Sequence, residues 1–204
     1  MILPGRALIP RIISHALSPT LQTQPCSVDL TLKNIHKFTS AGTIDFDNSL
    51  RERASYAKLP FEPSTSESTR DTGPSDSARA NSPLDRTASG VLNTMPHGSL
   101  DRVPKSILIQ MGSYSVEFNE IVDVPLDMMG QIFTRSSLYR SGAFINTGLV
   151  DSGYAGPLGG MLVVSNPHGI RLVEGARLAQ IVFHQLTGQA EAYNGVYQQK
   201  GFRD

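Results

Sequence analysis

MLVVSNPHGIRLVEGARLAQIVFHQ, residues 161–185, holds three short apolar runs at 161–164, 170–172 and 179–185, parted by Ser-Asn-Pro-His-Gly and by Glu-Gly. Runs this brief, rich in Val, Ile, Leu and Phe and bounded by turn residues, read as strands. The texture recurs at 106–110, 114–118 and 132–134. Further upstream, Cys26-Ser-Val-Asp-Leu-Thr-Leu alternates apolar and polar side chains as a half-buried strand does. After residue 104 the only helical signal is a turn at 136–140. A short amphipathic helix is expected over 6–17, with Pro10 in its first turn or breaking it. Many short strands at close spacing imply an all-β sandwich or barrel.

The chain of 204 residues suits a single domain, yet its 39% hydrophobic share is low for one that packs throughout. The unpacked part is expected at 62–103, where Ser, Thr and Pro dominate and large apolar side chains are nearly absent. Such a segment cannot offset its ordering entropy and reads as a disordered insertion, with Ser82-Pro83 as a phosphorylation site. Residues 187–204 read as a mobile tail with aromatic anchors. Lys plus Arg 18 against Asp plus Glu 18 leaves no net charge, which argues against a duplex nucleic acid or an anionic membrane as partner. The single cysteine, Cys26, excludes a disulfide framework, and Pro4 and Pro10 interrupt any secretory apolar core. A cytoplasmic or nuclear protein is expected.

Three segments could carry chemistry. In Thr134-Arg-Ser-Ser-Leu-Tyr-Arg140, two guanidiniums and two hydroxyls crowd together. Arg135, Arg140, Ser136 and Ser137 make a reasonable phosphate cradle, or else the arginines pair with carboxylates while the serines cap a turn. Gly148-Leu-Val-Asp-Ser-Gly-Tyr-Ala-Gly156 sets one carboxylate, Asp151, in a glycine-dense loop. Asp151 could orient a water and Tyr154 could lie against a sugar or base, or the segment could be an Asp-capped hairpin turn. On the strand containing Ala179, the polar Gln180 needs a partner if buried, either a ligand or a neighbouring subunit. The five histidines show no zinc spacing, and no P-loop, dinucleotide fingerprint or serine elbow is present.

In order along the chain, Gln24-Pro-Cys-Ser-Val-Asp-Leu, Arg135-Ser-Ser-Leu-Tyr-Arg140, Val150-Asp-Ser-Gly-Tyr-Ala-Gly156 and Gly175-Ala-Arg-Leu-Ala-Gln180 resemble motifs of the family containing dUTP pyrophosphatases and dCTP deaminases. Met1-Ile-Leu and Tyr197-Gln-Gln-Lys-Gly are similar to its deaminase-like branch, which archaeal-type dUTPases share. The resemblance covers about residues 1–50 and 104–202. It implies a distorted β-barrel or jelly-roll assembled as a homotrimer, with sites between subunits and Mg²⁺ bound chiefly through the substrate triphosphate. It also implies that Asp151 holds the attacking water, that Tyr154 packs on the deoxyribose, and that Arg135, Ser136 and Ser137 bind phosphates. Gln180 would assist from the neighbouring subunit. Asp29 would support the strand or act on a metal indirectly, through water. Tyr193, Tyr197, Gln199 and Lys200 of the tail would close over the nucleotide.

One departure separates the two chemistries. The deaminating branch needs a glutamate on the strand after the catalytic loop, yet 152–173 contains no carboxylate. Without that proton shuttle, dUTP hydrolysis to dUMP and pyrophosphate is the expected activity. A dCTP deaminase or bifunctional enzyme, and a catalytically silent nucleotide- or protein-binding trimer, are the rival readings. Other departures are a tail without a glycine-rich, Arg-bearing closing motif, Ala155 where an Arg is frequent, and Gly159-Gly160 as a local insertion in the hairpin that should read uracil. Phe133, Phe144, Ile145 and Val182 are the expected apolar centre of the subunit interface.

Overall fold

In the computed structural model, which describes residues 1–63 and 104–198, the elements run β1 (Ile13–Ser14), α1 (Pro19–Gln22), β2 (Val28–Phe38), β3 (Tyr56–Leu59), β4 (Glu62–Pro63), β5 (Lys105–Ile109), β6 (Gly112–Asp123) and β7 (Met128–Thr134). They continue with α2 (Ser136–Arg140), β8 (Ala143–Asn146), β9 (Leu149–Val150), β10 (Ala155–Val164), β11 (Ile170–Val173) and β12 (Arg177–Gln185). Every short apolar run read from the sequence lies in a strand, and the turn at 136–140 is α2. The long sheet follows the order β8-β10-β6-β2-β12-β7-β9, with β1 on β6 and β3 on β2; β11-β5-β4 form a second, smaller sheet. All pairings are antiparallel.

The long sheet curls until β7 meets β8, and a side chain joins them. Thr134 Oγ1 donates to the Ile145 carbonyl at 3.1 Å and accepts from the Ile145 N–H at 2.9 Å. One hydroxyl, donor and acceptor together, thus satisfies the backbone groups that a ladder would otherwise pair. The distorted barrel encloses a core of Leu30, Leu32, Val116, Phe118, Leu162, Ile181 and Phe183, each at most 1% exposed.

Three expectations change in detail. Residues 6–17 form no helix: Gly5–Ala7 is a 3-10 turn, Ile13–Ser14 pairs with β6, and the short N-terminal helix is Pro19–Gln22, with Pro19 in its first turn. Pro10 has no N–H to offer a helix there. The second change is that β2 is buried on both faces at its start. Val28, Leu30 and Leu32 meet the core, while Asp29 and Thr31 are covered by α1 and by Glu120 of β6. Glu120 is fully buried and accepts from Gln22 Nε2 at 2.7 Å, the Thr31 N–H at 2.8 Å and Thr31 Oγ1 at 2.6 Å. A buried carboxylate with three donors is tolerated where an unpaired one would not be.

Glu62-Pro63, the first residues of the expected insertion, pair instead with Ser106 and Lys105. Residues 64–103 and 199–204 lie outside the described residues, and with them the insertion and the site residues Gln199 and Lys200. Among the described residues no helix is long and apolar enough to cross a membrane.

Candidate active site

Asp151 leaves the end of β9, where Val150 pairs with Gly130 of β7. The loop then turns tightly through Gly153. Gly153 N–H donates to the Val124 carbonyl and Val124 N–H donates back to that of Tyr154, both at 2.9 Å, while buried Ser152 donates through Oγ to the Met128 carbonyl at 2.5 Å. Gly153 has φ +73, and a Cβ there would lie 2.9 Å from Ala192, so only glycine fits both the left-handed backbone and the close approach of the tail. These bonds fix the loop and leave the Asp151 side chain exposed.

Tyr154 is half-buried. Its hydroxyl donates to the Pro157 carbonyl at 2.7 Å, and its ring meets that of Tyr193 edge-on with centroids 5.7 Å apart. Burial holds the Tyr154 phenol above its ordinary pKa, with the Tyr193 hydroxyl as a lesser cause, so the ring stays neutral and in place. The tail runs along this loop: Tyr193 N–H donates to the Ser152 carbonyl at 2.8 Å, and Gln198 Nε2 donates to that of Gly153 at 2.8 Å. Gln198 Oε1 accepts from the Ala155 N–H at 3.1 Å.

Asp151, Tyr154, Tyr193 and Tyr197 line one cavity of about 1100 Å³. The β10 segment Pro157–Met161 forms another part of its wall, and there the pairing with β6 shifts register between Pro157 and Gly159. The glycine pair expected as a local insertion therefore sits at a bulge. At Gly160 a Cβ would lie 2.6 Å from Thr147 Cγ2, so a side chain there would crowd the neighbouring Thr147.

Arg135, Ser136, Ser137, Arg140 and Gln180 do not line this cavity. Arg135 caps α2 just past the end of β7, three residues beyond Ile132, the β7 residue that lines the cavity. Ser136, Ser137 and Arg140 are exposed. Gln180 already has an intrachain partner, accepting from Ser27 Oγ at 3.1 Å. Asp29, 1% exposed, is gripped by two guanidiniums: Arg135 Nε lies 3.1 Å from one carboxylate oxygen and Arg177 Nη1 3.1 Å from the other. Burial pushes the Asp29 pKa up and the two arginines offset part of that rise. Of the expected interface residues, Phe133 and Phe144 are exposed, whereas Ile145 and Val182 are buried within the single chain.

Sequence reading missed one wall entirely. Phe38, Ile44, Arg51, Glu52, Arg53 and Tyr56, from β2, β3 and their connection, also line the cavity. It missed two carboxylates at the same end: Glu52 lines the cavity, and Glu117 of β6 pairs across from Gly159, where it accepts from Asn34 Nδ2 at 2.7 Å and lies 3.7 Å from His36. No local motif announces either residue, because one comes from the β2–β3 connection and the other from β6.

Comparison with known proteins places the chain in a family. The model of the dCTP deaminase-like family matches residues 2–186. A Methanosarcina mazei protein named "Probable deoxyuridine 5'-triphosphate nucleotidohydrolase" is 33% identical over 190 residues, covering 93% of this chain and 88% of its own. The deoxyuridine 5'-triphosphate nucleotidohydrolase of Methanocaldococcus jannaschii is 29% identical over 176 residues, covering 86% of each. Among solved structures, 2'-deoxycytidine 5'-triphosphate deaminase from Agrobacterium tumefaciens shares the fold with a TM-score of 0.52 at 22% identity, over 89% of this chain and 48% of that one.

Proposed function

Because this chain belongs to the dCTP deaminase-like family, we propose that its site hydrolyses dUTP to dUMP and pyrophosphate. The observation that carries the reading is Asp151, an exposed carboxylate on a fixed loop, beside Tyr154 in a cavity whose β10 wall is glycine-rich and free of carboxylates. Asp151 orients a water and takes its proton as the oxygen attacks the α-phosphorus. The bond from that phosphorus to the bridging oxygen breaks, and pyrophosphate leaves with the electron pair. Positioning and charge neutralisation supply most of the acceleration in such transfers. Tyr154 packs on the deoxyribose where a 2'-hydroxyl would collide, and the β10 backbone reads the base.

Among the described residues no cluster of three or more His, Cys, Asp or Glu side chains could hold a metal. The cavity's own hard oxygen donors, Asp151 and Glu52, fit Mg²⁺ held mainly by phosphate oxygens and water, where it would neutralise charge on the leaving pyrophosphate. Asp29 is better read as the anchor of Arg135 and Arg177 than as the indirect metal group expected, since each of its oxygens faces a guanidinium. Arg135, Ser136, Ser137, Arg140 and Gln180 then serve a neighbouring copy: they do not line the cavity of their own chain, and a homotrimer would bring them to the next one. Of the expected tail residues, Tyr193 and Tyr197 line the cavity beside Tyr154, while Gln199 and Lys200 lie outside the described residues.

The test is product separation after incubation with Mg²⁺ and dUTP, dCTP, dTTP or UTP in turn. The expected result is dUMP and pyrophosphate from dUTP, with dCTP untouched. Ammonia release from dCTP would turn attention to Glu52 and Glu117 as proton shuttles, and no product from any nucleotide would sink the hydrolase reading.

A further inference from the structure

The connection between β2 and β3 is built as a strut. Thr39 N–H donates to the Ser55 carbonyl at 2.8 Å, and Thr43 and Glu52 exchange backbone bonds at 2.8 and 3.0 Å. At its tip Asp45 accepts from the Leu50 N–H at 2.7 Å and Asp47 from the Ser49 N–H at 3.0 Å; the Ser49 hydroxyl first, and its N–H second, hold the Asp47 carboxyl below its ordinary pKa. This strut carries Arg51 and Arg53, the only cationic side chains among the described residues lining the cavity that contains Asp151.

We propose that Arg51 is a phosphate-binding residue, supplied to the nucleotide by the same chain that supplies Asp151. The inference rests on the dUTP reading above. A triphosphate entering this cavity meets two carboxylates, Asp151 and Glu52, and its charge must be met by cations close at hand. Arg135 and Arg177 do not line this cavity of their own chain, whereas Arg51 lines it and has no carboxylate within 4.0 Å among the described residues. Its contacts are weak ones: a 3.4 Å bond to Asn48 Oδ1 and the face of the Tyr197 ring, 5.7 Å from guanidinium carbon to centroid. The planar fork keeps the donors needed for bidentate pairing with phosphate oxygens. Because Tyr197 belongs to the tail, the same guanidinium ties the strut to the segment that closes the cavity.

The test compares wild type, Arg51→Ala and Arg51→Lys for binding of deoxyuridine, dUMP and the non-hydrolysable α,β-imido analogue of dUTP, with Mg²⁺, by calorimetry. Arg51→Ala should weaken the triphosphate analogue by about tenfold or more and deoxyuridine by less than about twofold, with Arg51→Lys between. Equal losses for all three ligands would mean that the strut only shapes the cavity, and unchanged affinity for the analogue would remove Arg51 from the site; either overturns the proposal. Wild-type turnover of dUTP is read separately. A wild type that binds the analogue but leaves dUTP intact fails the hydrolase reading while Arg51 is still judged by the affinity ratio, and a wild type that binds no triphosphate overturns both.

Discussion

Asp151 and Glu120 are both carboxylates, and their surroundings give them opposite work. Asp151 is exposed on a loop whose backbone is fixed by its neighbours, so removing its charge should leave the fold intact. Asp151→Asn is expected to lower kcat by about 10²–10⁴-fold, the range of a positioned proton acceptor, with affinity for the imido analogue nearly unchanged; steady-state kinetics beside calorimetry would show normal turnover if another group orients the water. Glu120 is fully buried with neutral donors only, and burial raises its pKa above the ordinary 4.5. The folded chain therefore holds this proton at pH values where the unfolded chain has lost it. Stability contributed at Glu120 is fullest below about 4.5 and falls as pH rises towards the folded pKa. Chemical denaturation of wild type and Glu120→Gln across pH 4.5–7 should show the wild type losing stability relative to the variant as pH rises; parallel curves would contradict this.

Elements determine which of these residues meet. β9 and the start of β7 hold the Asp151 loop, and the tail lies along that loop because Gly153 lets it approach. Gly153→Ala puts a Cβ into Ala192 at φ +73 and is expected to cost about 1 kcal/mol or more of stability. It should also lower kcat by displacing Tyr193 from Tyr154; kinetics and thermal unfolding unchanged from wild type would show that the tail does not depend on this contact. The strands and the Asp151–Tyr154 loop were legible in the sequence because each is written in consecutive residues: apolar runs between turn formers, and a carboxylate among glycines. Arg51, Glu52 and Tyr56 were not, because 39–56 has neither strand alternation nor a motif and gains meaning only when the strut and β10 line one cavity. The two-sided burial of β2 was hidden for the same reason, since Asp29 and Thr31 look solvent-facing until Glu120 and Gln22 arrive from elsewhere.

At the scale of the whole molecule, β7 separates two half-sites. Asp151 and Tyr154 stand at one end, and Arg135 with the exposed Ser136 and Ser137 at the other, with Phe133 and Phe144 exposed nearby in sequence. A cyclic assembly would set the second end of one copy against the cavity of the next, so that the two ends meet at one α-phosphate. Light scattering should therefore give three copies, and a monomer would contradict the arrangement. Complementation tests the shared site more directly. Asp151→Asn and Arg135→Ala chains should each be nearly inactive alone. Unfolded together in equal amounts and refolded as mixed trimers, they should place an intact Asp151 beside an intact Arg135 in about one site in four and regain about a quarter of wild-type activity. If both residues served the same chain, every site would carry one defect and mixing would restore nothing.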